Sequence, residues 1–124
     1  MPRNHESTEM YLETILILNK EKDGVHAVDI AERMGFSKPT VSEYLKKLRA
    51  QGLVSIDDYN HLTLTDEGEQ IAQTIYERHN VLAALLEYIG VSHETAVEDA
   101  CRVEHYISEE TFGKIKECNE RLSC

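Results

Sequence analysis

Cys101, Glu104 and His105 stand at i, i+3 and i+4 in the run Cys101-Arg102-Val103-Glu104-His105. On a helix that spacing puts all three side chains on one face. A thiol, a carboxylate and an imidazole converging there can hold a divalent metal ion. Spacing alone leaves ordinary alternatives open, because a helical cysteine is often a small buried hydrophobe and Glu104 and His105 can simply be solvated. By the same standard His79 alone reads as a capping or surface histidine, and Met10 alone as core.

The elements that must position these residues are mostly helices. Ser7 and Thr8 can cap a helix starting near Glu9, with acidic residues in its first turns as the helix dipole prefers. Leu12, Ile15, Leu16 and Asn19 mark one side of it, flanked by Tyr11 and Leu18, and Lys22-Asp23-Gly24 should stop it. His26 to Gly35 predicts a short helix closed by glycine, with Val28, Ala31 and Met34 at apolar 3–4 spacing, as is Ile30 with Met34. Ser37 is a good N-cap and Pro39 falls in a first turn, where proline is tolerated. Val41, Tyr44, Leu45 and Leu48 then carry an apolar face up to Gln51-Gly52. Two short helices around a tight glycine turn form a helix-turn-helix signature. Leu53–Ile56 and His61–Thr65 alternate as paired strands around Asp57-Asp58-Tyr59-Asn60, the wing of a winged helix. Thr65 caps a long helix running to about Ile89 and Gly90, Ser92 starts another to about Ile107, and Ser108 a last one to about Leu122.

The fold class expected is therefore mainly α: a winged helix-turn-helix DNA-binding lobe over residues 1–65, then a helical metal-binding and dimerisation lobe over 66–124. At 124 residues the chain is one unit or two small lobes. The net charge of −10 is unevenly spread, with −2 up to Thr65 and −8 beyond it. Between Arg33 and Arg49 the balance reverses, since Arg33, Lys38, Lys46, Lys47 and Arg49 face only Glu43. Phosphates meet local charge, not the total. The longest apolar run, Val81 to Leu86, is too short to span a bilayer, and Met1-Pro-Arg-Asn-His-Glu-Ser has no hydrophobic stretch behind it. No membrane association and a cytoplasmic address are expected. Three cysteines argue against a disulfide framework, leaving Cys118 and Cys124 as ordinary thiols.

Several segments, taken in order, resemble the diphtheria-toxin-repressor family of iron- and manganese-dependent repressors. Thr8-Glu9-Met10-Tyr11-Leu12-Glu13-Thr14-Ile15 is similar to its opening helix; Asp29-Ile30-Ala31-Glu32-Arg33 and Pro39-Thr40-Val41-Ser42 resemble its helix-turn-helix. Leu62-Thr63-Leu64-Thr65 with Gly68 resembles its wing exit, and Arg78-His79 and Asp99-Ala100-Cys101-Arg102 with Glu104-His105 its metal-binding stretch. The resemblance covers residues 7–112. It implies that Met10, Cys101, Glu104 and His105 form the principal regulatory site, and that His79 matches a ligand of a second, nearby site. Glu13 matches a carboxylate of the manganese-responsive branch. Ala83 and Val97 stand where the iron branch would have an acidic residue and a histidine. The chain is expected to be a short form lacking the SH3-like third domain of many iron members. Glu13, His79, Glu104 and Cys101 would then form a two-metal arrangement as in the short manganese regulators.

Thioether and thiolate donors favour Fe(II) over Mn(II), while Glu13 pulls the other way; Co(II), Ni(II) or Zn(II) would bind at least as tightly in vitro. Fe(II) is the expected effector and Mn(II) the alternative. The expected function is a metal-dependent repressor of metal-uptake genes, not an enzyme, without a small organic substrate. A two-fold homodimer would present two recognition helices to a palindromic operator. Ser37, Thr40 and Ser42 could contact bases or phosphates, and Pro39 a thymine methyl. Lys38, Lys46, Lys47 and Arg49 suit phosphate attraction, and Glu43 shares their helix. Val81, Leu82, Leu85, Leu86 and Tyr88 offer either dimer surface or intramolecular core. Three rivals predict different behaviour. A metal-independent regulator with a redox-sensing Cys101 would bind DNA regardless of chelator. A small metalloenzyme would turn over substrate, and a metal buffer would leave the helix-turn-helix unexplained.

Overall fold

Apolar residues recur at three and four along most of the chain, so helices dominate. The computed structural model describes residues 4–122: α1 (Asn4–Glu21), α2 (Ala27–Met34), α3 (Lys38–Ala50), β1 (Val54–Ile56), β2 (Leu62–Leu64), α4 (Asp66–Tyr88), α5 (His93–Val103) and α6 (Glu109–Leu122). The mainly α class with one hairpin is as the sequence predicts. Cys124 and the Met1–Arg3 part of the opening segment lie outside the described residues. The chain divides between Gln73 and Thr74 into two units, with α4 running from the first into the second.

In the first unit α1 starts earlier than the Ser7/Thr8 cap predicts. Glu6 satisfies the dipole in its first turn, and the Thr8 hydroxyl instead lies 2.9 Å from the Tyr44 hydroxyl. Tyr11, Leu12, Ile15, Leu16 and Leu18 are buried, as their spacing requires. Helix α2 opens with the His26 N–H donating to the Asp29 carboxylate at 2.8 Å and closes on Gly35 at φ 74°. Its buried residues are Ile30 and Ala31, whereas Val28 is 36% exposed, which corrects the predicted Val28–Ala31–Met34 face. Val28 lines an open groove with α3 instead.

Ser37 caps α3 by accepting the Thr40 N–H at 3.3 Å, with Pro39 in the first turn, and Val41, Leu45 and Leu48 face the core. β1 and β2 pair antiparallel in the register Val54↔Leu64, Ser55↔Thr63 and Ile56↔Leu62. In the connecting turn the Asp57 carboxylate accepts the Tyr59 and His61 N–H groups, both at 2.9 Å, and Asn60 takes φ 62°. The Leu62 N–H donates to Val25 O at 2.8 Å, tying the hairpin to the α1–α2 connection. Thr65 caps α4 by accepting the Gly68 N–H at 3.1 Å while donating to Gly52 O at 2.7 Å. A Cβ at Gly68 would run into the Leu53 carbonyl, so only glycine fits that approach.

In the second unit Leu82, Ala83 and Ala100 form a buried cluster with the half-buried Ile107 and Ile115. Gly90, at φ 107°, lets the chain leave α4. Ser92 caps α5 by accepting the Thr95 N–H at 3.4 Å, and Ser108 caps α6 by accepting the Thr111 N–H at 3.1 Å. The helix predicted to reach Ile107 ends at Val103. The Glu104 N–H still bonds to Ala100 O, but those of Tyr106 and Ile107 both turn to Val103 O, tightening the chain into a turn. Of the predicted apolar surface on α4, Leu82 is core, Val81, Leu85 and Leu86 are half-buried, and Tyr88 is 64% exposed.

Candidate functional site

In the second unit three of the predicted ligands come together. His79 projects from α4, Glu104 caps α5 and His105 follows on the turn. Glu104 is fully buried and His105 is 4% exposed. The Glu104 Oε2 lies 3.0 Å from His79 Nδ1, and its Oε1 lies 3.4 Å from His105 Nε2. The geometry at Oε1 does not amount to a hydrogen bond, and that oxygen has none among the described residues. Glu104 also stands at the C-terminal end of α5, where the helix dipole disfavours an anion. A buried carboxylate between two imidazoles, with one oxygen unsatisfied, therefore suits a divalent cation. The carboxylate and imidazole donors here match the requirement for a first-row metal ion.

Cys101 behaves differently. It lies on α5 but is exposed, whereas Glu104 and His105 are buried, and His105 falls beyond the helix end. Cys101 is thus not buried with the other two, although the helical bonding runs on past it, the Glu104 N–H donating to Ala100 O at 3.0 Å. Among the predicted ligands of the first unit, Glu13 is a buried carboxylate on α1 and Met10 is half-buried, its carbonyl accepting the Thr14 hydroxyl at 2.8 Å.

The predicted DNA contacts, Ser37, Lys38, Pro39, Thr40, Ser42, Lys46, Lys47 and Arg49, are all exposed on or at the start of α3. Ser37 and Thr40 also engage each other, the Ser37 hydroxyl donating to Thr40 Oγ1 at 2.8 Å. Lys38, Ser42, Lys46 and Arg49 line an open groove together with His26 and Asn60. Glu43 lies 3.7 Å from the Lys46 ammonium, a fully solvated pair of little energetic weight. Lys47 lies over the Tyr44 ring, 5.3 Å from its centroid.

Two features were not singled out by sequence. Tyr11 of α1 stacks on Tyr44 of α3 at 4.3 Å with the rings nearly parallel, and burial pushes the Tyr11 hydroxyl above its ordinary pKa. Arg78 donates to the carbonyls of Glu104 and Ile107. Its only sequence signal was its place beside His79.

Residues 5–62 match the family described as iron dependent repressor, N-terminal DNA binding domain, and residues 65–123 match its metal binding and dimerisation domain. The transcriptional regulator MntR of Escherichia coli O6:H1 is 42% identical over 111 residues, covering 90% of this chain and 72% of that protein. The iron-dependent repressor IdeR of Mycobacterium tuberculosis is 37% identical over 111 residues, covering 89% of this chain but 48% of that protein. A solved manganese-dependent transcriptional repressor in complex with manganese superposes with a TM-score of 0.83 at 31% identity, over 91% of this chain and 52% of that one. The chain belongs to the iron-dependent repressor family.

Proposed function

We propose that this chain is a metal-dependent transcriptional repressor that binds operator DNA as a homodimer when loaded with a divalent ion and so controls metal-uptake genes. The observation that carries the reading is the buried Glu104, held between His79 and His105 with one oxygen unsatisfied. The exposed basic residues of α3 support the DNA half of the reading. Residues 1–65 would act as the winged-helix lobe and 66–124 as the metal-binding and dimerisation lobe, in the cytoplasm, on a palindromic operator.

His79, Glu104 and His105 would hold the ion together with Glu13 and Met10 of α1. A bound ion supplies positive charge that offsets the buried carboxylates. Cys101 joins the set only if its exposed thiol turns inward. Carboxylate oxygens suit Mn(II) and imidazoles suit Fe(II), and the thiolate and thioether of the sequence add weight to Fe(II), with Mn(II) the alternative. Tyr11 follows Met10 and stacks on Tyr44, so the ligand-bearing helix is packed directly against the recognition helix. A coupling of about 1–3 kcal/mol per site is the usual allosteric scale.

The test is anaerobic fluorescence anisotropy on DNA from upstream of the chain's own gene, with Mn(II), Fe(II) or chelator at one fixed salt concentration. Binding only with metal is expected, with His105→Ala abolishing the metal response and Cys101→Ser leaving most of it. Binding indifferent to chelator, but lost on thiol oxidation, would overturn the metal reading in favour of a redox-sensing Cys101.

A further inference from the structure

Arg78 and His79 are consecutive on α4, and they grip two different parts of one residue. His79 Nδ1 meets the Glu104 carboxylate at 3.0 Å. Arg78 Nη1 donates to the Glu104 carbonyl at 3.2 Å and to the Ile107 carbonyl at 2.8 Å. Those carbonyls bracket the turn that carries His105. Lying past the last helical bonds of α5, they need an outside donor. The guanidinium carbon lies 5.3 Å from the centroid of the Phe112 ring, which steadies the group from α6.

No carboxylate pairs with Arg78 among the described residues, and its buried Nε makes no hydrogen bond there. The usual reason for a half-buried arginine, an ion pair, is therefore missing. Its position is set by the two carbonyls and the ring. Its positive charge also lies against the C-terminal end of α5, where a cation is favourable.

We propose that Arg78 is a positioning residue for the metal site: it fixes the 104–107 turn so that Glu104 and His105 are presented already formed to the ion. The proposal rests on the metal-site reading above. Groups that orient metal ligands commonly change affinity by about 10–100-fold when removed. Lysine keeps the charge and N–H donors but lacks the planar guanidinium that lies against the Phe112 ring and fixes its donors in direction, so it should restore only part of the effect.

The test uses Co(II) as the probe, read by its visible absorption, on the full chain and on Arg78→Gln, Arg78→Lys and Phe112→Leu. Amide hydrogen exchange at Tyr106 and Ile107 is measured in parallel without metal. Arg78→Gln is expected to weaken Co(II) binding at least tenfold, alter the absorption spectrum and speed exchange in the turn, with Arg78→Lys intermediate. Phe112→Leu, which removes the ring but keeps the guanidinium that makes both carbonyl bonds, should weaken Co(II) binding less than Arg78→Gln does. A folded Arg78→Gln with affinity within twofold of the parent and unchanged exchange overturns the proposal. Should Arg78→Gln not fold, parent-like affinity in Arg78→Lys does the same. If the parent chain binds no Co(II), the metal-site reading has failed, and the exchange measurement still decides whether Arg78 holds the turn.

Discussion

The two units fill their interiors with different materials. The first buries Leu12, Ile15, Val25, Ile30, Val41, Leu45, Leu48 and Leu62, large aliphatic side chains from three helices, a loop and a strand. The second buries Ile75, Leu82 and Phe112 with Ala83, Ala96 and Ala100, and places Glu104 and His105 at the same depth. Aliphatic burial contributes about 1.5–3 kcal/mol per large side chain, whereas a buried carboxylate costs free energy unless it is paired. The first unit, with the Glu13 carboxylate buried among many aliphatic side chains, thus holds its shape mainly by apolar packing. The second gives up part of its interior to charge, and its stability is open to whatever neutralises that charge.

Substitutions that exchange these characters would break the contrast. Leu48→Ala removes a fully buried side chain from the first unit and should cost about 3–4 kcal/mol in denaturant unfolding, with or without metal. Glu104→Gln should behave in the opposite way, keeping metal-free stability close to the parent's while abolishing stabilisation by metal. For the parent that gain is about 2.7 kcal/mol at a hundred times Kd, measured as a rise in Tm on adding Mn(II). An equal rise in the Gln variant would show that the second unit does not depend on this carboxylate.

Smaller changes sharpen the contrast. Gly113 lies within α6 with open space where a Cβ would go, so Gly113→Ala should raise stability by about 1 kcal/mol in thermal unfolding. The pH response tests the other unit. The His26 N–H first, and then Lys22, hold the Asp29 carboxyl below its ordinary range. A depressed folded pKa contributes stability above the unfolded value, and that contribution disappears as pH falls through the folded value. Asp29→Asn should therefore cost about 0.5 kcal/mol at pH 7, and the difference should close as pH falls through the depressed folded-state pKa.

What was legible in the sequence follows the same division. The start and period of α3 could be read from Ser37, Pro39, Val41, Leu45 and Leu48, because an N-cap and a 3–4 repeat act within a few residues. His79, Glu104 and His105 were named as ligands from resemblance, and all three lie in one cluster. The misjudged points depend on distant partners. Thr8 looks like a cap until Tyr44 engages its hydroxyl. The end of α5 was hidden because the carbonyls beyond it are satisfied by Arg78, more than twenty residues earlier in the chain. The exposure of Cys101, beside two buried neighbours on the same stretch, is likewise not encoded by local spacing. The His61 pairing across the hairpin turn, with Nδ1 3.3 Å from Asp57, was also unmarked in sequence.

The close approach of Gly68 to the Leu53 carbonyl has a kinetic consequence. That carbonyl also accepts the Thr65 N–H at 3.1 Å, so one short loop of chain closes the hairpin and starts α4 in the same event. Short loops close in about 10–100 ns and at small entropic cost. This corner is therefore suited to form in the folding transition state, ahead of contacts between residues farther apart in sequence. A side chain at position 68 would then slow refolding more than it speeds unfolding, and the unequal arms of a chevron plot would record the order in which the chain assembles.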